Sequence, residues 1–168
     1  LDSRVNVLAP AGQGRLWVGT GDQGLLLLDP ATGVVLRQYL PADDQGLPDA
    51  FINAVFTDSR GHTWVAPNMG GACRLTGSGD STRFDCRFDG LYIVDFHEAP
   101  DGRLWMAAMN YGLVVYDPAT EDYELLTMDN RLLRNSVTGI EADSLGRIWF
   151  TSLGLGRYDP EKDSYQFF

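Results

Sequence analysis

Three sets of residues in this sequence are of types that could carry chemistry. In the first, Gly19, Gly21 and Gly24 of GTGDQG match the GxGxxG pattern of dinucleotide-binding loops. That chemistry needs a strand before the glycines and a helix after them, so that the phosphate meets the N-terminus of the helix. Here another apolar run, LLLL, follows, and the corresponding segment 66–71, APNMGG, lacks the pattern. The glycines therefore predict a tight turn between two strands, and no cofactor is expected.

The second set consists of the two histidines, His62 and His97, which could bind a metal or transfer a proton. They lie in different predicted strands, and no Cys or acidic cluster stands beside them at metal-ligand spacing. HExxH and GxSxG do not occur, and nothing singles out a carboxylate pair for glycoside hydrolysis. His62 occupies a position where the other repeats carry Arg, which indicates a surface residue. The sequence therefore predicts no catalytic residue and no metal ligand.

The third set is the pair of cysteines, Cys73 and Cys86. A two-residue hairpin turn at 79–80 places them directly opposite each other, as a non-hydrogen-bonded pair whose side chains approach closely. The same register puts Leu75 and Phe84 on the face that carries the sulfurs. We predict a cross-strand disulfide, which forms in an oxidising compartment. The alternative is a pair of reduced thiols packed in the core of a cytosolic protein.

Composition excludes several classes of function. The 168 residues are 44% hydrophobic and 21% charged, which is typical of a globular protein. Thirteen basic residues against twenty-three acidic ones give a net charge of −10, which repels nucleic-acid backbones and anionic lipid surfaces. No apolar run approaches the roughly 18 residues of a membrane span. The chain starts with Leu and no leader follows, which predicts a mature chain or a piece of a longer one.

The elements that would position a site are four copies of one repeat. Four tryptophans each close a Gly-x-x-Trp phrase, and they are separated by 47, 41 and 44 residues. Three of the repeats continue into an apolar run that ends in Asp-Pro. The fixed place of the tryptophans predicts a structural role in the core between repeats, rather than sugar stacking. They are Trp17, Trp64, Trp105 and Trp149.

Each repeat is consistent with four short antiparallel strands. No segment keeps a 3.6-residue apolar period for three turns, so little helix is expected. The third strands, such as LLLL and LVVY, are apolar on successive residues, which requires burial on both faces. These features predict an all-β fold of four four-stranded β-propeller blades, as part of a larger propeller or as a small closed one. The predicted blades, together one propeller segment over 1–168, span about 5–40, 51–88, 92–127 and 137–168.

Segment 135–160, NSVTGIEADSLGRIWFTSLGLGRYDP, strongly resembles the two-component regulator propeller repeat, and the other three repeats are similar to it. Such repeats form the extracytoplasmic sensor regions of bacterial hybrid two-component proteins and of some membrane-bound diguanylate cyclases. The resemblance implies a non-catalytic periplasmic or extracellular module of a membrane-anchored receptor, whose kinase or cyclase domain lies outside this chain. It also implies a ligand of the oligosaccharide or small polar nutrient class.

One departure from that family concerns the number of blades. Its propellers usually have about seven, whereas this chain has four, out of a range of roughly four to eight for propellers in general. The chain also begins at a first strand and ends at a fourth, so no blade is shared between its termini. Open ends expose apolar sheet faces. We therefore expect further blades, or a second copy of the chain, to cover these ends.

The candidate ligand-binding residues lie in loops that share one rim of a propeller. These are the loops from second to third strands and from each fourth strand to the next blade. Polar amides beside an aromatic side chain suit a sugar or another small polar ligand. The candidates are Asp22, Gln23, Asp43, Asp44, Gln45, Asn68, Met69, Asn110, Tyr111, Arg131 and Arg134.

Two alternative functions remain open from the sequence. The first is a lyase that resembles virginiamycin B lyase, a propeller whose blades also carry phrases like RIWFT. That chemistry requires a positioned His as general acid or base, and only His62 and His97 are present. The second alternative is a scaffold without a small ligand, which binds another protein through its rim or its open edge.

Overall fold

The chain folds into antiparallel β-sheets. A computed structural model describes residues 2–41, 46–129, 132 and 135–168. These residues form sixteen strands in four sheets of four strands, and each strand pairs with its neighbours along the chain. The predicted all-β fold of four-stranded blades is therefore confirmed. Among these residues no helix has the length and apolar character that a membrane crossing needs.

The chain divides into two compact units, Leu1–Ile93 and Val94–Phe168, and each unit contains two sheets. The first sheet of the first unit consists of β1 (Val5–Pro10), β2 (Leu16–Thr20), β3 (Leu25–Asp29) and β4 (Val34–Tyr39). Its second sheet consists of β5 (Ile52–Thr57), β6 (Thr63–Pro67), β7 (Ala72–Thr76) and β8 (Arg83–Arg87).

The second unit repeats this arrangement. Its first sheet consists of β9 (Ile93–Glu98), β10 (Leu104–Ala108), β11 (Gly112–Tyr116) and β12 (Tyr123–Leu126). Its second sheet consists of β13 (Gly139–Ala142), β14 (Ile148–Thr151), β15 (Leu155–Asp159) and β16 (Ser164–Phe167).

Each unit has a hydrophobic core of its own, and the repeat residues form it. In the first unit, Trp17, Leu25 and Val65 belong to one buried cluster. In the second unit, Trp105 and Phe150 belong to another. Full burial of a large apolar side chain contributes about 1.5–3 kcal/mol, so these clusters are the main source of stability in each unit.

The hairpin between β7 and β8 carries the disulfide. Cys73 pairs with Cys86 in the predicted register, the two sulfurs are bonded, and their Cα atoms are 3.9 Å apart. The predicted two-residue turn is wrong, because the ladder ends earlier and a short 3-10 helix, Gly79–Ser81, closes the hairpin. The Thr82 hydroxyl donates to the Gly79 carbonyl at 2.8 Å and stabilises this wider turn. Its centre is unchanged, so the register is unchanged as well.

Innermost strands contact the next blade through polar side chains within each unit. In the first unit, Asn6 lies at a β-bulge in β1, and its Nδ2 donates to the Ile52 carbonyl at 3.1 Å. A bulge turns a side chain away from the regular pleat, which here aims the amide at the neighbouring blade. In the second unit, Asp95 Oδ2 accepts a bond of 2.9 Å from the Ile140 N–H. Burial raises the pKa of Asp95, and the bonds from Ile140 and Phe96 only partly offset that effect.

A glycine at the start of the third strand, or directly before it, is required by close packing against the fourth strand. Gly24 has φ +71°, and a Cβ there would lie 2.0 Å from the Tyr39 carbonyl oxygen. Gly112 has φ +115°, and its Cβ would lie 2.0 Å from the Leu126 carbonyl oxygen. Strand β3 follows Gly24 directly, so GTGDQG lacks the helix that phosphate binding requires.

The turn between first and second strands is closed by the same backbone bond in all four blades. The residue six positions before each tryptophan donates its N–H to a carbonyl four residues later, at 2.9–3.0 Å. That residue is Asp58 in the second blade and Asp143 in the fourth, but alanine in the other two. The four donor–acceptor pairs are Ala11 to Arg15, Asp58 to His62, Ala99 to Arg103, and Asp143 to Arg147.

The two aspartates also accept a bond from the tryptophan of their own blade. Asp58 accepts from Trp64 Nε1 at 3.1 Å, and Asp143 accepts from Trp149 Nε1 at 2.8 Å. Burial raises the pKa of Asp58, but the bonds donated by His62 and Trp64 outweigh it, so the pKa lies below its ordinary value. The hydrogen bond from the Trp149 indole holds the pKa of Asp143 well below its ordinary value. Burial raises this pKa, but it offsets only part of the lowering.

Candidate ligand-binding rim

Six of the eleven predicted rim residues lie in turns at one end of their sheets. Asp22 and Gln23 belong to the β2–β3 turn of the first unit, and Asn68 and Met69 belong to its β6–β7 turn. Asn110 and Tyr111 form the β10–β11 turn of the second unit. The other five candidates, Asp43, Asp44, Gln45, Arg131 and Arg134, lie outside the described residues.

A cavity of about 190 Å³ in the first unit brings two of these candidates together with a second loop. Asn68 and Met69 form one side, and residues 89–92, which follow β8, form the other. The cavity thus joins the two loop types that the sequence analysis placed on one rim. An apolar cavity of about 150 Å³ accommodates benzene, so this one has room for a single six-membered ring.

Backbone and side-chain bonds hold the walls of this cavity in place. The Asn68 N–H donates to the Phe51 carbonyl at 2.8 Å, and its Nδ2 lies 3.5 Å from Asp49 Oδ2. On the opposite wall, the Tyr92 hydroxyl donates to Asn53 Oδ1 at 3.2 Å. Both walls are therefore tied to the segment around β5, which makes the cavity a pre-formed feature of the second blade.

The lining of this cavity combines apolar and acidic groups. Met69 is 65% exposed and, with Leu91 and the Tyr92 ring, presents apolar surface. Asp89 is the acidic residue of the lining, and its described members include no Lys or Arg. A carboxylate accepts hydrogen bonds from hydroxyl groups and repels anions. The cavity therefore suits a neutral polyhydroxylated ring better than a phosphate or a carboxylate.

The candidates in the β2–β3 turn are used to hold that turn itself. The Gln23 N–H donates to Thr20 Oγ1 at 2.9 Å, and the Gln23 carbonyl accepts from Gln38 Nε2 at 3.0 Å. The Asp22 carboxylate accepts a bond from the Ser3 hydroxyl. Neither residue lines the cavity beside Asn68.

In the second unit, the β10–β11 turn presents an exposed aromatic side chain. Asn110 adopts φ +68°, a left-handed conformation that asparagine tolerates well. The Tyr111 N–H donates to the Ala108 carbonyl at 2.9 Å, and Tyr111 is 44% exposed. The turn therefore offers a phenol ring to solvent, while its asparagine has a conformational role.

The two histidines have acidic partners. His62 Nδ1 lies 3.1 Å from Asp58 Oδ2, on the turn that closes the second blade. His97 Nδ1 lies 3.6 Å from Glu141 Oε1. These side chains therefore connect β9 of the third blade to β13 of the fourth blade. The sequence analysis missed the partner of His97, because the two residues are far apart along the chain.

The tryptophans differ in burial and in their contacts. Trp17, Trp64 and Trp105 are buried, whereas Trp149 is half-buried. Trp149 stacks on Phe168 with ring centroids 5.6 Å apart, and the Arg157 guanidinium lies 5.4 Å from its ring centroid. None of the four lines the cavity beside Asn68.

Sequence reasoning also missed the DGLY segment, 89–92, that completes this cavity. It lies between the fourth strand of one blade and the first strand of the next, which is the same loop class as the predicted residues 43–45. A systematic inspection of that loop class would have found it. Its position across the cavity from Asn68 results from the fold, and no local pattern in the sequence indicates it.

The sheet topology and the repeated tryptophan turn define the class of this chain, which consists of β-propeller blades. No protein-family model matches it, and neither does any curated protein. Similarity is found instead among solved propeller structures.

Two of these structures are extracellular domains from B. thetaiotaomicron. One belongs to a protein assigned as a hybrid two-component system, with a TM-score of 0.86 and 23% identity over 98% of this chain. The other belongs to a protein assigned as a one-component system, with a TM-score of 0.81 and 19% identity over 98% of this chain. This chain spans only 23% and 22% of those two chains.

Virginiamycin B lyase from Staphylococcus aureus is a third similar structure. Its TM-score is 0.75 at 16% identity, and the match covers 100% of this chain and 56% of the lyase. Similar folds are thus found in extracellular domains of two- and one-component systems and in an enzyme.

Proposed function

We propose that this chain is a segment of an extracytoplasmic ligand-sensing propeller in a bacterial signal-transduction receptor, and that it is not itself catalytic. The observation that carries this proposal is the similarity of nearly the whole chain to two extracellular sensor-system domains, at TM-scores of 0.86 and 0.81. The Cys73–Cys86 disulfide supports the location, because such bonds persist in oxidising compartments.

The ligand of this sensor is a neutral oligosaccharide or a similar small polar nutrient, and it binds at the cavity beside Asn68. The acidic Asp89 accepts hydrogen bonds from sugar hydroxyls, while Met69 and Tyr92 contact the apolar face of the ring. The net charge of −10 favours a neutral ligand over an anionic one.

Thermal-shift screening against a library of neutral oligosaccharides and metabolites tests this function. A ligand that binds only the folded state raises the melting temperature. At a ligand concentration of 100 times its Kd, it adds about 2.7 kcal/mol to the free energy of unfolding. The double variant Asn68→Ala, Met69→Ala should lose that shift. Tyr123→Ala, which truncates an exposed aromatic side chain in β12 that is not among the rim candidates, is the control and should keep it. A library without a single stabilising compound, or a shift that survives the double variant, contradicts the proposal.

The partners of this chain are further blades of the same propeller in a longer protein. Leu8 in β1 is 58% exposed, whereas Val55, its counterpart in β5, is 8% exposed because the other blade of the unit covers it. In the second unit, Leu155 and Phe168 leave another exposed apolar surface. These flanks predict that the isolated chain self-associates. A strictly monomeric 18.5 kDa particle in light scattering would contradict this prediction.

A second candidate function is a lyase that uses His97 as general acid or base. The specific observation in its favour is the contact of 3.6 Å between His97 and Glu141, since a carboxylate can orient an imidazole for proton transfer. Lactone-opening assays on His97→Ala and His62→Ala distinguish the two functions. Measurable activity that His97→Ala abolishes and His62→Ala retains favours the lyase over the sensor.

A further inference from the structure

The indole N–H of Trp105 differs from those of the other three tryptophans. It is buried, and no group in the described parts of the chain accepts a hydrogen bond from it. A buried donor without an acceptor is uncommon in native proteins and calls for a physical explanation. The other three each have an acceptor: Thr63 for Trp17, Asp58 for Trp64, and Asp143 for Trp149.

Two substitutions within the repeat explain this difference. Ala99 stands where the second and fourth blades have their aspartate, although its turn is closed by the same backbone bond, 2.9 Å from the Ala99 N–H to the Arg103 carbonyl. Ile148 stands where the second blade has Thr63, the acceptor for Trp17 of the preceding blade. Both kinds of acceptor used elsewhere in the chain are thus replaced by apolar side chains around Trp105.

A cavity of about 220 Å³ lies at this place in the second unit. It is bounded by the β9–β10, β13–β14 and β15–β16 turns, at the opposite end of these sheets from the β10–β11 turn. Trp105, Ala99 and Ile148 all line it, and so does the ring of Tyr158. Trp105 is therefore both the tryptophan without an acceptor and a residue of the cavity wall.

The charges around the cavity select against anions. Arg103 is the basic side chain of the described lining, and its Nε and Nη2 both lie 2.8 Å from Asp101 Oδ2. Its charge is thus neutralised by a neighbour, and Glu161 adds a further carboxylate to the lining. A neutral oxygen accepts a hydrogen bond from an indole without adding negative charge to this acidic surface.

We propose that this cavity is a second binding site, separate from the rim, for a small neutral ligand with an apolar ring or chain and one carbonyl or hydroxyl oxygen. That oxygen accepts the Trp105 N–H bond, and the apolar part packs on Ile148 and the Tyr158 ring. The ligand thereby supplies the acceptor that Asp58 and Asp143 supply in the other turns.

Titration of the ¹⁵N-labelled chain with cyclohexanone tests the proposal. The probe combines one apolar ring with one carbonyl oxygen, and the Trp105 indole cross-peak is assigned through Trp105→Phe. We expect that cross-peak to shift saturably while those of the other three tryptophans stay in place. Cyclohexanecarboxylate, which has the same ring and a charged acceptor, should bind about tenfold or more weakly. No saturable shift, equal shifts of all four indoles, or equal affinity for the carboxylate would overturn the proposal.

Two variants restore an acceptor from within the chain. Ala99→Asp reproduces the aspartate of the second and fourth blades, and Ile148→Thr reproduces Thr63. Each folded variant should lose the cyclohexanone response. The matched control is Ala11→Asp in the first blade, where Trp17 already donates to Thr63, and it should leave the Trp105 response unchanged. A response that persists in either restored variant contradicts the proposal, and Ile148→Thr decides the matter if Ala99→Asp does not fold.

Discussion

Gly24 and Gly33 form a matched pair that separates backbone strain from steric collision. Both residues have φ +71°, so replacement by alanine imposes the same left-handed conformation on a residue with a Cβ. Around Gly33 a Cβ meets nothing within 4 Å, whereas at Gly24 it would lie 2.0 Å from the Tyr39 carbonyl oxygen. Any difference in stability between the two alanine variants therefore measures the packing of the β2–β3 turn against β4.

The magnitude follows from the contacts of Gly24. Left-handed strain alone costs about 1–2 kcal/mol, which sets the expected loss for Gly33→Ala. In Gly24→Ala the backbone must also move, and Gly24 makes three bonds: its N–H donates to Ala50, and its carbonyl accepts from the N–H and the hydroxyl of Thr20. At about 1 kcal/mol for each bond, Gly24→Ala should be destabilised by about 3 kcal/mol more than Gly33→Ala.

Thermal unfolding followed by circular dichroism measures this difference. For a chain of this length about 1 kcal/mol corresponds to about 2–4 °C, so the melting temperature of Gly24→Ala should lie about 6–12 °C below that of Gly33→Ala. The same turn carries the rim candidates Asp22 and Gln23, so its displacement would be visible in their amide resonances as well. Equal melting temperatures for the two variants would refute the reasoning that the close approach to Tyr39 requires glycine.

Four further predictions concern the acidic residues and the disulfide. Asp58→Ala should lower the free energy of unfolding by about 2 kcal/mol, because Asp58 is buried and accepts several hydrogen bonds. In urea denaturation at pH 7, Asp101→Ala, at an exposed position, should lower it by less than about 1 kcal/mol. Since the pKa of Asp58 is below its ordinary 3.8, its stabilising effect is complete above about pH 4 and is lost as the pH falls further; unfolding curves whose acid dependence is identical in Asp58→Ala would contradict this. The double variant Cys73→Ser, Cys86→Ser should lower the free energy of unfolding by about 3 kcal/mol, as expected for a loop of this size. As a control, the wild-type chain should lose the same free energy of unfolding when its disulfide is reduced. In ¹³C NMR titration, the carboxyl of Asp95 should protonate at a higher pH than that of Asp58, because burial raises its pKa; the reverse order would refute the burial argument.

Local signals in the sequence were sufficient to predict the blades and the disulfide. The tryptophan phrase recurs once per sheet, and successive apolar residues mark the buried third strands such as β11. The Cys73–Cys86 pairing was predicted even though the turn was wrong, since a hairpin register depends on the centre of the turn and not on its width. These features depend on residues close together in the sequence, where geometry leaves few alternatives.

The cavities could not be predicted in the same way. Asn68 and residues 89–92 line one cavity only because the fold places the loop after β8 beside the β6–β7 turn. The importance of Ala99 is visible only when the bond from Trp64 to Asp58 is known, since alanine by itself carries no chemical information. Long-range contacts and missing partners are properties of the packed structure.

The disulfide joins β7 and β8 of one sheet, so it holds the outermost strand of the second blade to its neighbour. The bond does not link one blade to another covalently, but Cys73 lies in the same buried cluster as Trp17 of the first blade, so reduction changes a side chain at the interface between these two blades. What the disulfide prevents is detachment of the outermost strand, whose free edge would otherwise offer backbone donors and acceptors to a foreign strand. In an oxidising compartment, where such bonds persist, the disulfide keeps this edge strand paired and so opposes aggregation by strand pairing.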